Sequence, residues 1–170
     1  MPLTHRYLAI AATLVVVGVA GWFARGAGQG GEVAPQVVYT LLNGQRLDAA
    51  SLKGQVVLVN FWATSCSTCV AEMPEIVATF EKYRARGYQT VAVAMRYDPP
   101  ALVANFAESR RLPFGVAIDN TGAIAHHFGD VELTPTSFLI NKRGEIVRRY
   151  VGKPNFVALR ALIEKLLAEA

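Results

Sequence analysis

The sequence predicts an α/β protein with a central mixed β-sheet flanked by helices, and three observations carry that reading. A nearly all-apolar run of strand length, Val56 to Phe61, passes directly into a helical pattern. Two further apolar runs follow, each after a helical stretch, in a βαβαβ order. The chain then closes with two strands around a turn and a final amphipathic helix. A strand with no polar face has to be covered on both sides, which crossover helices accomplish.

The elements come in the following order. Tyr7 to Ala24 is an uncharged stretch of eighteen residues between Arg6 and Arg25, with Trp22 and Phe23 at its far end. At about 1.5 Å per residue it reaches roughly 27 Å, enough to span a bilayer. It exceeds the apolar core of a secretory signal, and Ala24-Arg25-Gly26 is a poor cleavage site, so residues 1–25 are expected to be an uncleaved anchor rather than a signal. The terminal amine and His5 tip the charge balance toward a cytoplasmic N-terminus. Residues 26–34 are expected to be a flexible linker, glycine-rich in Gly26-Ala27-Gly28-Gln29-Gly30-Gly31. The remaining residues, 35–170, suffice for one compact domain and not for two.

Within that domain Val37 to Leu42 and Gln45 to Leu47 flank Asn43-Gly44, two residues that tolerate positive φ in a tight hairpin turn. Val56 to Phe61 is the central strand. A helix is expected from Cys66 to Arg86, with Met73, Ile76, Val77 and Phe80 as its apolar stripe and Pro74 as a kink. Thr90 to Met95 is the next strand, parallel to the first across a right-handed crossover. Asp98-Pro99-Pro100 opens a helix to about Arg111, and Phe114 to Ile118 is a short strand. Thr136 to Ile140 and Glu145 to Val151 form a hairpin around Asn141-Lys142-Arg143-Gly144, and Asn155 to Ala168 is the closing helix.

The chemistry is concentrated at Cys66-Ser67-Thr68-Cys69, which holds both cysteines of the chain. Residues i and i+3 meet across one helical turn, so a disulfide closes there with little strain. A thiolate at a helix N-terminus faces unpaired N–H groups and the positive end of the macrodipole, which lowers its pKa below the roughly 8.5 of a free thiol. Cys66 is the expected attacking sulfur and Cys69 the resolving one. The alternatives fit less well. A structural bridge closing so short a loop restricts the unfolded chain little. Zinc needs four ligands, and there is no second CxxC and no His-x3-5-His pattern; the histidines are His5, His126 and His127. Copper of the Cys-x3-Cys kind needs a wider spacing. His126 and His127 read as ordinary residues near a helix end.

The formal charge of +4 includes Arg6 and Arg25, leaving 15 basic against 13 acidic residues downstream. That is no nucleic-acid footprint, and Arg110-Arg111 and Arg148-Arg149 read as solvated pairs. An anchor beside a dithiol motif suggests an extracytoplasmic domain, periplasmic in a bacterial-type cell, in contact with exported proteins.

Four stretches, Val56-Val57-Leu58-Val59-Asn60-Phe61-Trp62-Ala63, Cys66-Ser67-Thr68-Cys69, Glu72-Met73-Pro74 and Thr134-Pro135-Thr136-Ser137-Phe138-Leu139-Ile140, together resemble the thioredoxin superfamily. Within it they resemble the membrane-anchored TlpA/ResA/CcmG group of thiol-disulfide oxidoreductases, over about residues 35 to 165. The resemblance implies a thioredoxin-like fold with an N-terminal β-hairpin and an inserted helix-strand unit, preceded by one transmembrane helix. It implies a cis peptide bond before Pro135, with the Thr134 backbone pairing an extended substrate segment, and modulating roles for Trp62 and Glu72. A buried carboxylate at Glu72 would resist ionising and hold or relay a proton; the plain alternative is an exposed helix glutamate. Asn60 stands where cytosolic thioredoxins carry a buried aspartate. Ser65 and Thr68 depart from the tryptophan and proline of many relatives, which bears on partner choice and redox poise.

The expected function is reduction of disulfides in exported proteins, with apocytochrome c preparation as one task that the resemblance implies. No cofactor or metal is expected beyond the redox-active Cys66–Cys69 disulfide. The expected partners are disulfide-bearing substrates, a membrane electron donor and the membrane itself, with no nucleic acid. Three alternatives stand beside this: a disulfide-forming oxidase, a peroxiredoxin-like peroxidase, disfavoured by Ala63 where such enzymes carry threonine, and a redox-inactive peptide-binding module at Thr134-Pro135.

Overall fold

The computed structural model describes residues 31–169. The expected anchor, Tyr7 to Ala24, lies outside them, as does the linker up to Gly30. Among the described residues no helix is long and apolar enough to cross a membrane.

The domain is built on a six-stranded mixed sheet. Its strands are β1 (Glu32–Val33), β4 (Val56–Trp62), β5 (Tyr88–Ala94), β6 (Gly115–Ile118), β7 (Thr136–Ile140) and β8 (Glu145–Val151), in the order β1-β8-β7-β4-β5-β6. The helices are α1 (Ser67–Tyr83), α2 (Pro100–Ser109), α3 (Ala123–His127) and α4 (Phe156–Ala168), and a two-stranded ribbon is made by β2 (Val38–Thr40) and β3 (Arg46–Asp48). β4 runs parallel to β5 and antiparallel to β7, and all seven of its residues are buried, as expected of a strand without a polar face.

Alternation along β4 divides the interior in two. Val56, Leu58 and Trp62 face a core shared with Cys69, Met73, Ile76 and Phe80 of α1, Val103 of α2 and Leu159 and Ile163 of α4. Val57, Val59 and Phe61 face the opposite layer, where Tyr39 of the ribbon and Ala125 and Phe128 at α3 pack.

Several boundaries differ from expectation for local reasons. Glu32–Val33 pairs with Ile146 and Glu145 of β8, and Ala34 N–H donates to the Gly144 carbonyl at 2.9 Å, so residues 32–34 of the expected linker belong to the sheet edge. In the ribbon only Gly44 takes positive φ, at 80°. Gly44 N–H donates to the Leu41 carbonyl and Leu41 N–H to the Gln45 carbonyl, which is the wider turn-plus-bulge loop rather than a two-residue turn. α1 stops at Tyr83; residues 84–86 tighten into a 3₁₀ turn ended by Gly87 at φ 87°. The β7–β8 hairpin has its expected bounds. Asn155 caps α4, its Oδ1 accepting from Val157 N at 3.0 Å and Ala158 N at 3.1 Å. Asn155→Ala is therefore expected to lower stability by about 1 kcal/mol in equilibrium denaturation; an unchanged midpoint would contradict that role.

Candidate active site

β4 ends at Trp62, and after four intervening residues α1 begins at Ser67. Cys66 is the N-cap of α1: its backbone is extended, and its Sγ accepts the N–H of Cys69 at 3.1 Å. Cys66 and Cys69 are joined as a disulfide with Cα atoms 5.2 Å apart. The two sulfurs sit in unlike surroundings. Cys69, in the first turn of α1, is wholly buried in the core, whereas Cys66 is half-buried at the N-terminus of the helix. Trp62, the last residue of β4, is fully buried, and its ring packs against that of Phe106 of α2 at a tilt of 49° with centroids 5.1 Å apart. Among the described residues its indole N–H has no hydrogen-bond partner.

Glu72 lies one turn after Cys69 on the same face of α1 and is 0% exposed, which removes the reading of it as a surface glutamate. Its Oε1 accepts the Asn60 amide N–H at 3.1 Å, and the same amide nitrogen donates to Ser137 Oγ at 2.9 Å. Glu72 Oε2 is buried without a partner. Burial pushes the Glu72 carboxyl up to about 7, against the Asn60 hydrogen bond and the positive charge of Lys153, which both favour the ionised form. A carboxyl with one bonded and one bare oxygen is arranged to carry a proton near neutral pH.

The Thr134–Pro135 peptide bond is cis. Because Thr136 is registered against Phe61, Pro135 falls beside Trp62, at the end of the sheet where Cys66 lies. Pro135 is buried and Thr134 half-buried; the Pro135 carbonyl accepts the Gly152 N–H at 2.8 Å, which brings the loop carrying Lys153 to the same end. His126 and His127 are exposed on α3, across the sheet from α1, and His126 pairs with Asp130 at 2.6 Å.

Ser137, Thr64 and Asp98 were not among the residues that the sequence singles out for the site. Asn60 is a polar residue inside an otherwise apolar strand, and that interruption is a usable signal; Ser137 follows Thr136 at the polar start of β7, where the signal is weaker. Asp98 has none. It reads as the start of a helix, yet α2 begins at Pro100 with Pro99 at its N-cap, and the Asp98 carboxylate turns instead to Thr64.

Residues 29–162 match the Redoxin family. The thiol-disulfide oxidoreductase ResA of Bacillus thuringiensis subsp. konkukian is 35% identical over 136 residues, spanning 80% of this chain and 78% of that protein. Among solved structures, a Neisseria meningitidis protein assigned to the thioredoxins superposes with a TM-score of 0.76 at 38% identity, covering 82% of this chain and 93% of that one. A thiol:disulfide interchange protein of the thioredoxin family from Chlorobium tepidum gives 0.76 at 26% identity, over 84% of this chain and 100% of that one.

Proposed function

Because the chain belongs to the Redoxin family, as a thioredoxin-like thiol-disulfide oxidoreductase of the TlpA/ResA/CcmG-like group, we propose that it reduces disulfides of exported proteins with Cys66 as the attacking sulfur. The observation that carries this reading is the asymmetry of the pair. One sulfur is reachable at a helix N-terminus, and the other is sealed in the core one turn before a buried carboxyl.

In the reduced protein the Cys66 thiolate attacks one sulfur of the substrate disulfide. That bond breaks, the second substrate sulfur leaves as a thiolate that takes up a proton, and a Cys66–substrate mixed disulfide forms. Cys69 then loses its proton and attacks Cys66 Sγ, releasing the first substrate sulfur as a thiolate. Two electrons have passed to the substrate, and Cys66 and Cys69 are left as the disulfide. Glu72, with its bare Oε2 and a pKa of about 7, is the group suited to accept the Cys69 proton. An extended substrate segment pairs with the Thr134 backbone beside Pro135, and Trp62 walls the buried side of the pair. No cofactor enters beyond the disulfide itself.

In this reading residues 1–25 tether the domain to the outer face of the cytoplasmic membrane, where a membrane electron donor restores the dithiol. Preparing apocytochrome c thiols for haem attachment is the task proposed within it. The direction of exchange is tested by equilibrating the full chain, in mild detergent, against defined thiol buffers. A potential near the reducing end of the fold's range, about −270 mV, is expected; a value near −120 mV would replace the reductase reading with disulfide formation.

A further inference from the structure

The loop between β5 and α2 touches both sides of the candidate site. Met95 N–H donates to the Trp62 carbonyl at 3.0 Å, and Asp98 N–H closes back on the Met95 carbonyl at 2.9 Å. Asp98 is 2% exposed, and both its carboxylate oxygens are committed to a single residue. Thr64 N–H donates to Oδ2 at 2.6 Å and the Thr64 hydroxyl to Oδ1 at 2.5 Å. The adjacent Tyr97 hydroxyl lies 3.3 Å from Thr134 Oγ1, on the proline side of the site.

We propose that Asp98 is a positioning residue for disulfide exchange: through Thr64 it holds the turn between β4 and α1 in the shape that presents Cys66 at the helix N-terminus. This rests on Cys66 being the attacking sulfur. The turn is held at its ends by Met95 N–H on the Trp62 carbonyl at 3.0 Å and by Val70 N–H on the Cys66 carbonyl at 3.0 Å, and between them Asp98 bonds Thr64. Its own backbone bond runs from Cys66 N–H to the Ala63 carbonyl at 3.1 Å, and Ser65 is exposed. Two bonds to one residue, one to the peptide N–H and one to the side chain, fix both the peptide plane and χ1 of Thr64. Bonds to a carboxylate are the shorter and stronger kind. If Thr64 is released, the turn is free to swing and Cys66 Sγ leaves the Cys69 N–H, 3.1 Å away, that stabilises its thiolate. Reactivity of a positioned group falls steeply with such displacements.

The test reacts the reduced full chain, in mild detergent, with glutathione disulfide across a pH range that brackets thiol ionisation. Thr64→Val keeps the peptide N–H and all charges but loses the hydroxyl; it is expected to slow exchange several-fold and to move the midpoint of the pH profile upward. Thr64→Ser keeps both donors and is expected to match the parent. Asp98→Ala is expected to slow exchange by about tenfold or more. The double variant Thr64→Val with Asp98→Ala should be no slower than Asp98→Ala alone, since both act through one contact. An unchanged rate and midpoint in Thr64→Val, or losses that multiply in the double variant, would overturn the proposal. Should Asp98→Ala fail to fold, the Thr64→Val and Thr64→Ser pair decides alone. Cys66→Ser in the same assay tests the attacking sulfur separately, so failure of that reading is distinguishable from failure of this one.

Discussion

Cys66→Ser is expected to remove thiol-disulfide exchange, lowering the rate by on the order of a thousandfold or more, because a serine hydroxyl is no nucleophile at neutral pH without an activating base. Cys69→Ser is expected to behave differently. Its Cys66 remains half-buried at the N-terminus of α1, so the first attack proceeds, but the buried position beneath it then offers no second sulfur. The mixed disulfide should accumulate as a stable covalent adduct of substrate mass on non-reducing gels and by mass spectrometry. The two single variants thus separate attack from resolution. Persistent exchange in Cys66→Ser, or adducts forming on Cys69 rather than Cys66, would reverse the assignment of the pair.

Glu72→Gln carries the second large effect, and its sign changes with pH. The carboxyl ionises at its ordinary 4.5 in the unfolded chain and at about 7 when buried. Between those values the folded state holds the proton more tightly, so stability falls as pH rises through the window and levels off above about 7. The shift corresponds to about 3 kcal/mol of lost stability at pH 8 relative to acid conditions. Gln cannot ionise, and its amide oxygen can still accept from Asn60. Glu72→Gln should therefore match the parent in urea unfolding near pH 4.5 and exceed it by roughly 2–3 kcal/mol near pH 8, with the disulfide oxidised in both. A difference between variant and parent that does not change with pH would mean that Glu72 does not titrate in this window. If Glu72 also takes the Cys69 proton, the stabilised variant should resolve mixed disulfides more slowly, a trade of activity for stability common at such sites.

Most of the fold was legible because its signals are local. Continuous apolarity in Val56–Phe61, the 3.6-residue stripe of Met73, Ile76 and Phe80, and the Asn141–Gly144 turn each state a backbone preference within a few residues. Where expectation and structure part, the deciding contact is distant in sequence. Glu32–Val33 becomes a strand because Glu145 and Ile146 offer an edge more than a hundred residues later. Nothing in a glycine-rich segment announces that.

The candidate site divides in the same way. The dithiol, its place at a helix N-terminus and the order of its two cysteines can be read from the chain alone, since a two-residue spacing and a strand-to-helix junction are properties of a short segment. The sealing of Glu72 from water, its bond to Asn60, the place of Ser137 beside them and the reach of Asp98 back over 34 residues to Thr64 emerge from long-range packing. Burial and hydrogen bonding of a polar side chain depend on what the rest of the chain packs against it, and the ionisation of a carboxyl depends on both.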